Sequence, residues 1–224
     1  MDKVTRVGID LAKRVFHVAE MAGDGTVVGH RRLRRTGLRS YLAELPGDVE
    51  VAMEACGSSH HWGRLALGRG LRVSMMSPQH VSPYVKSNKN DVNDAEAIAE
   101  AAGRPTMRFV GVKSVEQQHV QQVHRARQLA VKQRTAQCNQ LHGLLLEYGI
   151  ESPKGPAAVL CRLAEALEDA DNELPVEGRA LLRDLGDELR RLDGRVKAFD
   201  AQIRGWRGAC RRAGGWRRCP GSGR

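Results

Sequence analysis

The chain opens on three consecutive strand-like segments, and their spacing limits what the first domain can be. Val4–Asp10 is an apolar run of the kind that makes a buried strand. Val15–Met21 alternates apolar and polar residues and is placed to be its antiparallel partner. Gly23-Asp24-Gly25 supplies a turn before a third run, Val27–Arg32. So short a spacing fits antiparallel pairing, because a parallel crossover needs a dozen residues or more.

Beyond this trio the chain alternates helix and strand. Leu38–Leu45 reads as a short helix ended by Pro46-Gly47, Val49–Met53 as a fourth strand, and Ser59–Gly68 as a helix with Ser58 or Ser59 as N-cap. Leu71–Met76 is a fifth strand. Ser77–Asn90, with Pro78 and Pro83, reads as a long loop, and Asp91–Ala102 as a helix stopped by Gly103 and Pro105. The expected fold class is α/β, a mixed-sheet domain followed by a long helical extension. The expected boundaries are 1–113 for the sheet domain, 114–206 for the helical region and 207–224 for a basic tail without a packed core.

The helical region carries a measurable period. Leu182, Leu185, Leu189, Leu192, Val196, Phe199, Ile203 and Trp206 are spaced 3, 4, 3, 4, 3, 4, 3. That heptad predicts a helix–helix pairing, within the chain or between two chains.

Four acids stand out within this frame. Asp10 ends the first strand, Glu54 follows the fourth, and Asp91 and Asp94 open the helix after the long loop. Each alone has a plain structural explanation, as a cap or a surface ion pair. Together they form a set able to converge and hold Mg²⁺ or Mn²⁺, as carboxylates do in two-metal phosphoryl-transfer sites. Asp91 and Asp94 are three apart and share a helix side.

Charge points to the substrate. The formal net charge is +10, which favours polyanionic partners, with nucleic acid ahead of an acidic membrane surface. Arg125, Arg127, Lys132 and Arg134 crowd the middle of the first long helix and are candidates for backbone phosphates. Aromatics are only 4%, too few for a base-stacking platform. Five cysteines without C-x-x-C spacing argue against a disulfide framework or a common zinc module. His60 and His61 lie close to Cys56 but have no second ligand pair, so a solvated helix face is the expectation there. No signal-peptide form or membrane-length apolar run is present, and a cytoplasmic location is expected.

Gly8-Ile9-Asp10-Leu11-Ala12-Lys13 lacks the glycine and Ser/Thr that cradle phosphate in sugar kinases and actin-like ATPases. By contrast, Val7–Lys13, the run Met53-Glu54-Ala55-Cys56-Gly57-Ser58-Ser59-His60-His61-Trp62, and Lys86–Ala101 together resemble the N-terminal domain of IS110-family transposases. The resemblance extends from about residue 4 to the heptad helix near residue 206. It implies a RuvC-like, RNase H-type domain whose DEDD tetrad falls on Asp10, Glu54, Asp91 and Asp94, with Mg²⁺ or Mn²⁺ as cofactor. It also implies metal-assisted DNA cleavage and rejoining in transposition, a structured guide RNA, a coiled-coil linker and a homo-oligomer built through it. The family's second domain carries a serine nucleophile; of the serines beyond Lys113 (Ser114, Ser152 and Ser222) none stands in a matching context, so that domain is expected to be missing. Trp216–Arg224 looks like that domain's opening Pro-Gly-x-Gly-Pro run read out of frame, so the expectation is a frameshifted, truncated copy from about residue 211. Two alternatives stay open: a stand-alone Mg²⁺-dependent nuclease or resolvase of the RuvC type, and a non-catalytic inhibitor of full-length transposase.

Overall fold

The computed structural model describes residues 3–85 and 91–212, with side chains at 3–85 and 92–206. The chain divides into two compact units, one ending at Ser114 and the other beginning at Val115.

The first unit is built on one mixed sheet of five strands: β1 (Val4–Asp10), β2 (Val15–Ala22), β3 (Val27–Arg34), β4 (Glu50–Glu54) and β5 (Arg72–Met76), in the order β3-β2-β1-β4-β5. β1, β2 and β3 pair antiparallel, while β4 runs parallel to β1 and β5 parallel to β4. This is the mixed sheet expected of a RuvC-like α/β domain. Local chemistry makes the hairpin turn. The Asp24 carboxylate accepts from the Thr26 amide at 2.8 Å and its hydroxyl at 2.9 Å, and Gly25 takes a φ of 91°, which a side chain would disfavour. The parallel strands need crossovers, supplied by α1 (Arg35–Glu44) and α2 (Ser59–Leu67).

Period-2 alternation sorts the sheet into two faces. Val7, Ile9, Phe16, Val18, Val51 and Met53 bury against Leu38, Leu42 and Trp62 of α1 and α2. The opposite face offers small residues, Gly8 and Ala52, and is covered by the alanine-rich helix α4 (Asp91–Ala102). Between β5 and α4 the expected loop is partly helical. Pro78 opens a short helix, α3 (Pro78–Val81), and Ser82–Tyr84 form a 3-10 turn. Proline is well suited to a first helical turn, where its missing N–H would be unpaired anyway, so here it starts structure instead of breaking it. The rest of that expected loop, residues 86–90, lies outside the described residues.

The second unit is helical: α5 (Val115–Glu147), α6 (Pro156–Glu168) and α7 (Val176–Arg212). α5 and α7 run antiparallel, since partners on α7 fall in number as those on α5 rise. His119 meets Trp206 edge-on at 5.5 Å, Arg127 pairs with Asp200 at 2.5 Å, Arg134 pairs with Asp193 at 2.8 Å, and Gln137 donates to the Leu185 carbonyl at 3.1 Å. Of the heptad residues, Leu182, Leu189, Leu192, Val196 and Ile203 are buried. The seam read from the sequence is therefore filled within the chain, by α5 and α6. At the end of α6 the Arg179 guanidinium donates to the carbonyls of Ala166, Leu167 and Asp169, which a helix C-terminus leaves unpaired. The expected basic tail from residue 207 lies largely outside the described residues, and its side chains entirely so.

Candidate functional site

Strand register fixes where two of the four acids stand. Ile9 is paired with Met53 across the parallel β1–β4 ladder, so Asp10 and Glu54 are the next residue on each strand. They end adjacent strands about 4.8 Å apart. Both lie on the face of Gly8 and Ala52, the face that α4 covers.

The helix is laid down in the opposite sense to β1. The Arg6 guanidinium donates to the Ala99 carbonyl at 3.5 Å, whereas Gly8 lies against the backbone of Ala95 and Ala99. Going one turn back from Ala95, about 6 Å along the axis, reaches position 91. Going two residues on from Gly8, about 6.6 Å, reaches Asp10. The start of α4 and the end of β1 are thus level. Asp94 is half-buried, and Ile98, one turn on from it, belongs to the same buried cluster as Ala52 of β4. The Asp94 line of the helix therefore follows the β4 side, where Glu54 ends the strand.

Oxygen-only donors of this kind suit a hard divalent cation. Among the described residues no three carboxylate, imidazole or thiolate groups stand close enough to hold an ion. Asp91's side chain is outside those residues.

α4 is held in place at both ends. Arg6, which reaches the Ala99 carbonyl of α4, also pairs with Glu50 at 2.7 Å, and Glu50 accepts from the Ser74 hydroxyl. Nearer the acids, the His30 Nε2 lies 2.8 Å from Glu96 Oε1, which ties α4 to β3. The loops after β1 and β4 also meet, with the Cys56 thiol 3.7 Å from the Leu11 carbonyl.

His60 and His61 stand apart from the acids' chemistry. The Lys113 amide donates to His60 Nδ1 at 3.2 Å, and the Lys113 Nζ lies 3.2 Å from Nε2 of the same ring. Burial, then the charges of Lys113 and Arg64, hold His60 below the usual imidazole range. His61 is lowered too, by burial and then by Arg35, Arg64 and Arg39. Ser58 occupies the N-cap of α2 but makes no side-chain cap bond, and the Ser59 hydroxyl instead donates to the Cys56 carbonyl at 2.9 Å.

The four cations singled out on α5 divide into two pairs. Arg127 and Arg134 hold α5 to α7 through Asp200 and Asp193. The bond from Arg127 lowers the Asp200 carboxyl, and Lys197 with Arg134 lowers Asp193 against the opposing effect of burial. Arg125 and Lys132 are exposed and seven residues apart, on one side of the helix. Sequence reasoning passed over a denser group. Residues 30–39 hold five arginines and a histidine and no acid. The signal was a simple local charge count, masked by the strand and helix periodicity of the same residues.

Comparison with known proteins gives the family. A family model described as a transposase, of the DEDD type of IS110 elements, matches residues 7–150. The chain is 46% identical over 201 residues to a probable family 20 transposase of Pseudomonas aeruginosa, covering 89% of this chain and 59% of that protein. It is 41% identical over 204 residues to the transposase for insertion sequence element IS1111A of Coxiella burnetii, covering 91% of this chain and 56% of that one. With the transposase for insertion sequence element IS1328 of Yersinia enterocolitica the identity is 43% over 175 residues, 78% of this chain and 51% of the other. The chain thus spans little more than half the length of these relatives. Among the described residues no helix is long and apolar enough to cross a membrane.

Proposed function

The chain belongs to the IS110 family of DEDD transposases, and from that premise we propose that its first unit is the acidic, divalent-metal-dependent part of a DNA strand-transfer enzyme acting in transposition. One observation carries this: Asp10 and Glu54 end adjacent, register-matched parallel strands on the face over which the start of α4, with Asp91 and Asp94, is laid. Asp10, Glu54, Asp91 and Asp94 would hold Mg²⁺ or Mn²⁺. Bound there, such an ion makes an attacking oxygen more acidic and stabilises the leaving one.

The protein's part is placement. The sheet fixes Asp10 and Glu54, because each follows a fully buried residue, Ile9 or Met53. The close seat of α4 on Gly8, with the His30–Glu96 and Arg6–Ala99 contacts, sets the height at which the helix presents its acids. In this proposal DNA is the substrate and a structured RNA of the element is a partner. Arg125 and Lys132 would contact nucleic-acid backbone, whereas Arg127 and Arg134 serve the helix pair. A homo-oligomer would use surfaces other than the heptad seam, which is already filled.

The test pairs binding with cleavage. Mn²⁺ binding by calorimetry, and Mn²⁺-dependent cutting of labelled duplex and branched DNA, are compared between the native chain and Asp10→Asn. Loss of Mn²⁺ affinity in the variant supports the acidic site, and cleavage lost with it supports chemistry there. Mn²⁺ affinity indifferent to Asp10, Glu54 and Asp94 alike would sink the proposal.

A further inference from the structure

We propose that Arg32 and Arg34 on β3 form a phosphate track that seats the DNA strand leading to the acidic site. It rests on reading Asp10 and its neighbours as that site. The sheet register carries it. Asp10 is paired with His17 on β2, and His17 with Arg32 on β3. One row across the sheet therefore runs Glu54, Asp10, His17, Arg32, followed on β3 by Arg34, which is paired with Val15.

Alternation places Arg32 and Arg34 on the same face as the acids. Leu33 between them packs into the core under α1 and α2, and Arg31 turns to Glu20 at 2.6 Å. His30, two residues before Arg32, reaches Glu96 of α4 and so marks the α4 face. A groove of about 220 Å³ lies beside the row, lined by His17, His30, Arg32 and the first turn of α4 at Val92. Arg32 and Arg34 are exposed, and no carboxylate among the described residues pairs with either.

The occupant follows from charge and position. Four acids repel a phosphate strand, so a strand brought to them needs cations alongside. Two interstrand steps put Arg32 about 10 Å from Asp10. A strand advancing 3.4 Å per nucleotide would then place a phosphate about three nucleotides away on Arg32. The strand that passes the acids is the DNA to be cut, so DNA, not the RNA partner, is assigned to the track.

The test is a salt titration of a short labelled DNA duplex binding to the full chain without divalent ion. Each arginine on a phosphate should contribute about 0.9 to the slope of log affinity against log salt. Arg32→Gln with Arg34→Gln is expected to flatten the slope by about 1.8, and Arg32→Lys with Arg34→Lys to keep it. An unchanged slope in the Gln pair overturns the track. So does an equal loss in the Lys pair, which would show damage to the edge strand instead of lost charge. A loss seen with single-stranded RNA of the same sequence but not with DNA overturns the assignment to DNA. Mn²⁺ calorimetry on Asp10→Asn separates this proposal from the one beneath it. If Mn²⁺ affinity falls there and the slope in the Gln pair does not, the track fails and the acidic site stands. If the slope falls and Mn²⁺ binding ignores Asp10, the acidic site fails and the arginines no longer lead to one.

Discussion

A methyl group on residue 8 would overlap the Ala95 carbonyl oxygen and stand 2.6 Å from the Ala99 nitrogen, both backbone atoms that cannot swing aside. Gly8→Ala is therefore expected to lift α4 off β1, at a cost of about 1–3 kcal/mol, as overpacking does. If α4 carries half of a metal site, Mn²⁺ affinity should fall as well. Urea unfolding reads the first effect and calorimetry the second; stability lost with Mn²⁺ affinity intact would show that α4 contributes no ligand. His60 gives a pH signature in the same unit. Its pKa is lowered in the fold, so the unfolded chain takes up the proton first. Its contribution is fully present above about 6.5 and declines as pH falls below that value. The melting temperature should drop over this range, and drop less in His60→Ala, with His61 supplying the remainder. At this scale the strand-end places of Asp10 and Glu54 were legible because each closes a hydrophobic run. Glu50 shares a face of β4 with Glu54 but opens the strand where Glu54 closes it. Only the register with β1 assigns Glu50 to Arg6.

Elements were legible wherever a period ran long enough. β1 and α4 match their expected spans, and the heptad predicted the pairing helix. The heptad did not name its partner, because α5 has no comparably clean stripe: its buried residues, from Val120 to Leu145, are interrupted by polar ones. Leu189 sits at the seam with no exposed surface. Leu189→Ala is expected to cost the helical unit about 2–5 kcal/mol, read as a lower urea midpoint for the helical signal, and a change below about 1 kcal/mol would mean the α5–α7 seam is not a packed core. Acid should loosen the same pair. Asp193 and Asp200 have lowered pKa values, so what they contribute is fully present above the unfolded value of about 3.9 and is lost as pH falls through the folded ones. Asp193→Asn should remove part of that acid sensitivity.

For the whole molecule, the question is where the +10 charge resides. It is concentrated in two places, residues 30–39 and the stretch from Arg204 to Arg224, which holds seven arginines and no acid. Residues 115–203 have 12 basic and 14 acidic side chains, so the helical body is close to neutral and two of its four candidate cations are already paired. That distribution could not be read from net charge alone. It sets an expectation for a chain cut after Trp206, which removes six of those arginines. If the β3 track and the basic stretch each meet their own phosphates, the cut chain should bind duplex DNA with a shallower salt slope, by up to about 0.9 per arginine that touched a phosphate. It should still lose a further amount of about 1.8 with Arg32→Gln and Arg34→Gln, because independent sites add. Mn²⁺ affinity at the acids should not change on cutting. If the cut chain shows no salt dependence at all, DNA affinity lies wholly in the basic stretch, and the first unit would meet its strand only when another part of the protein delivers it.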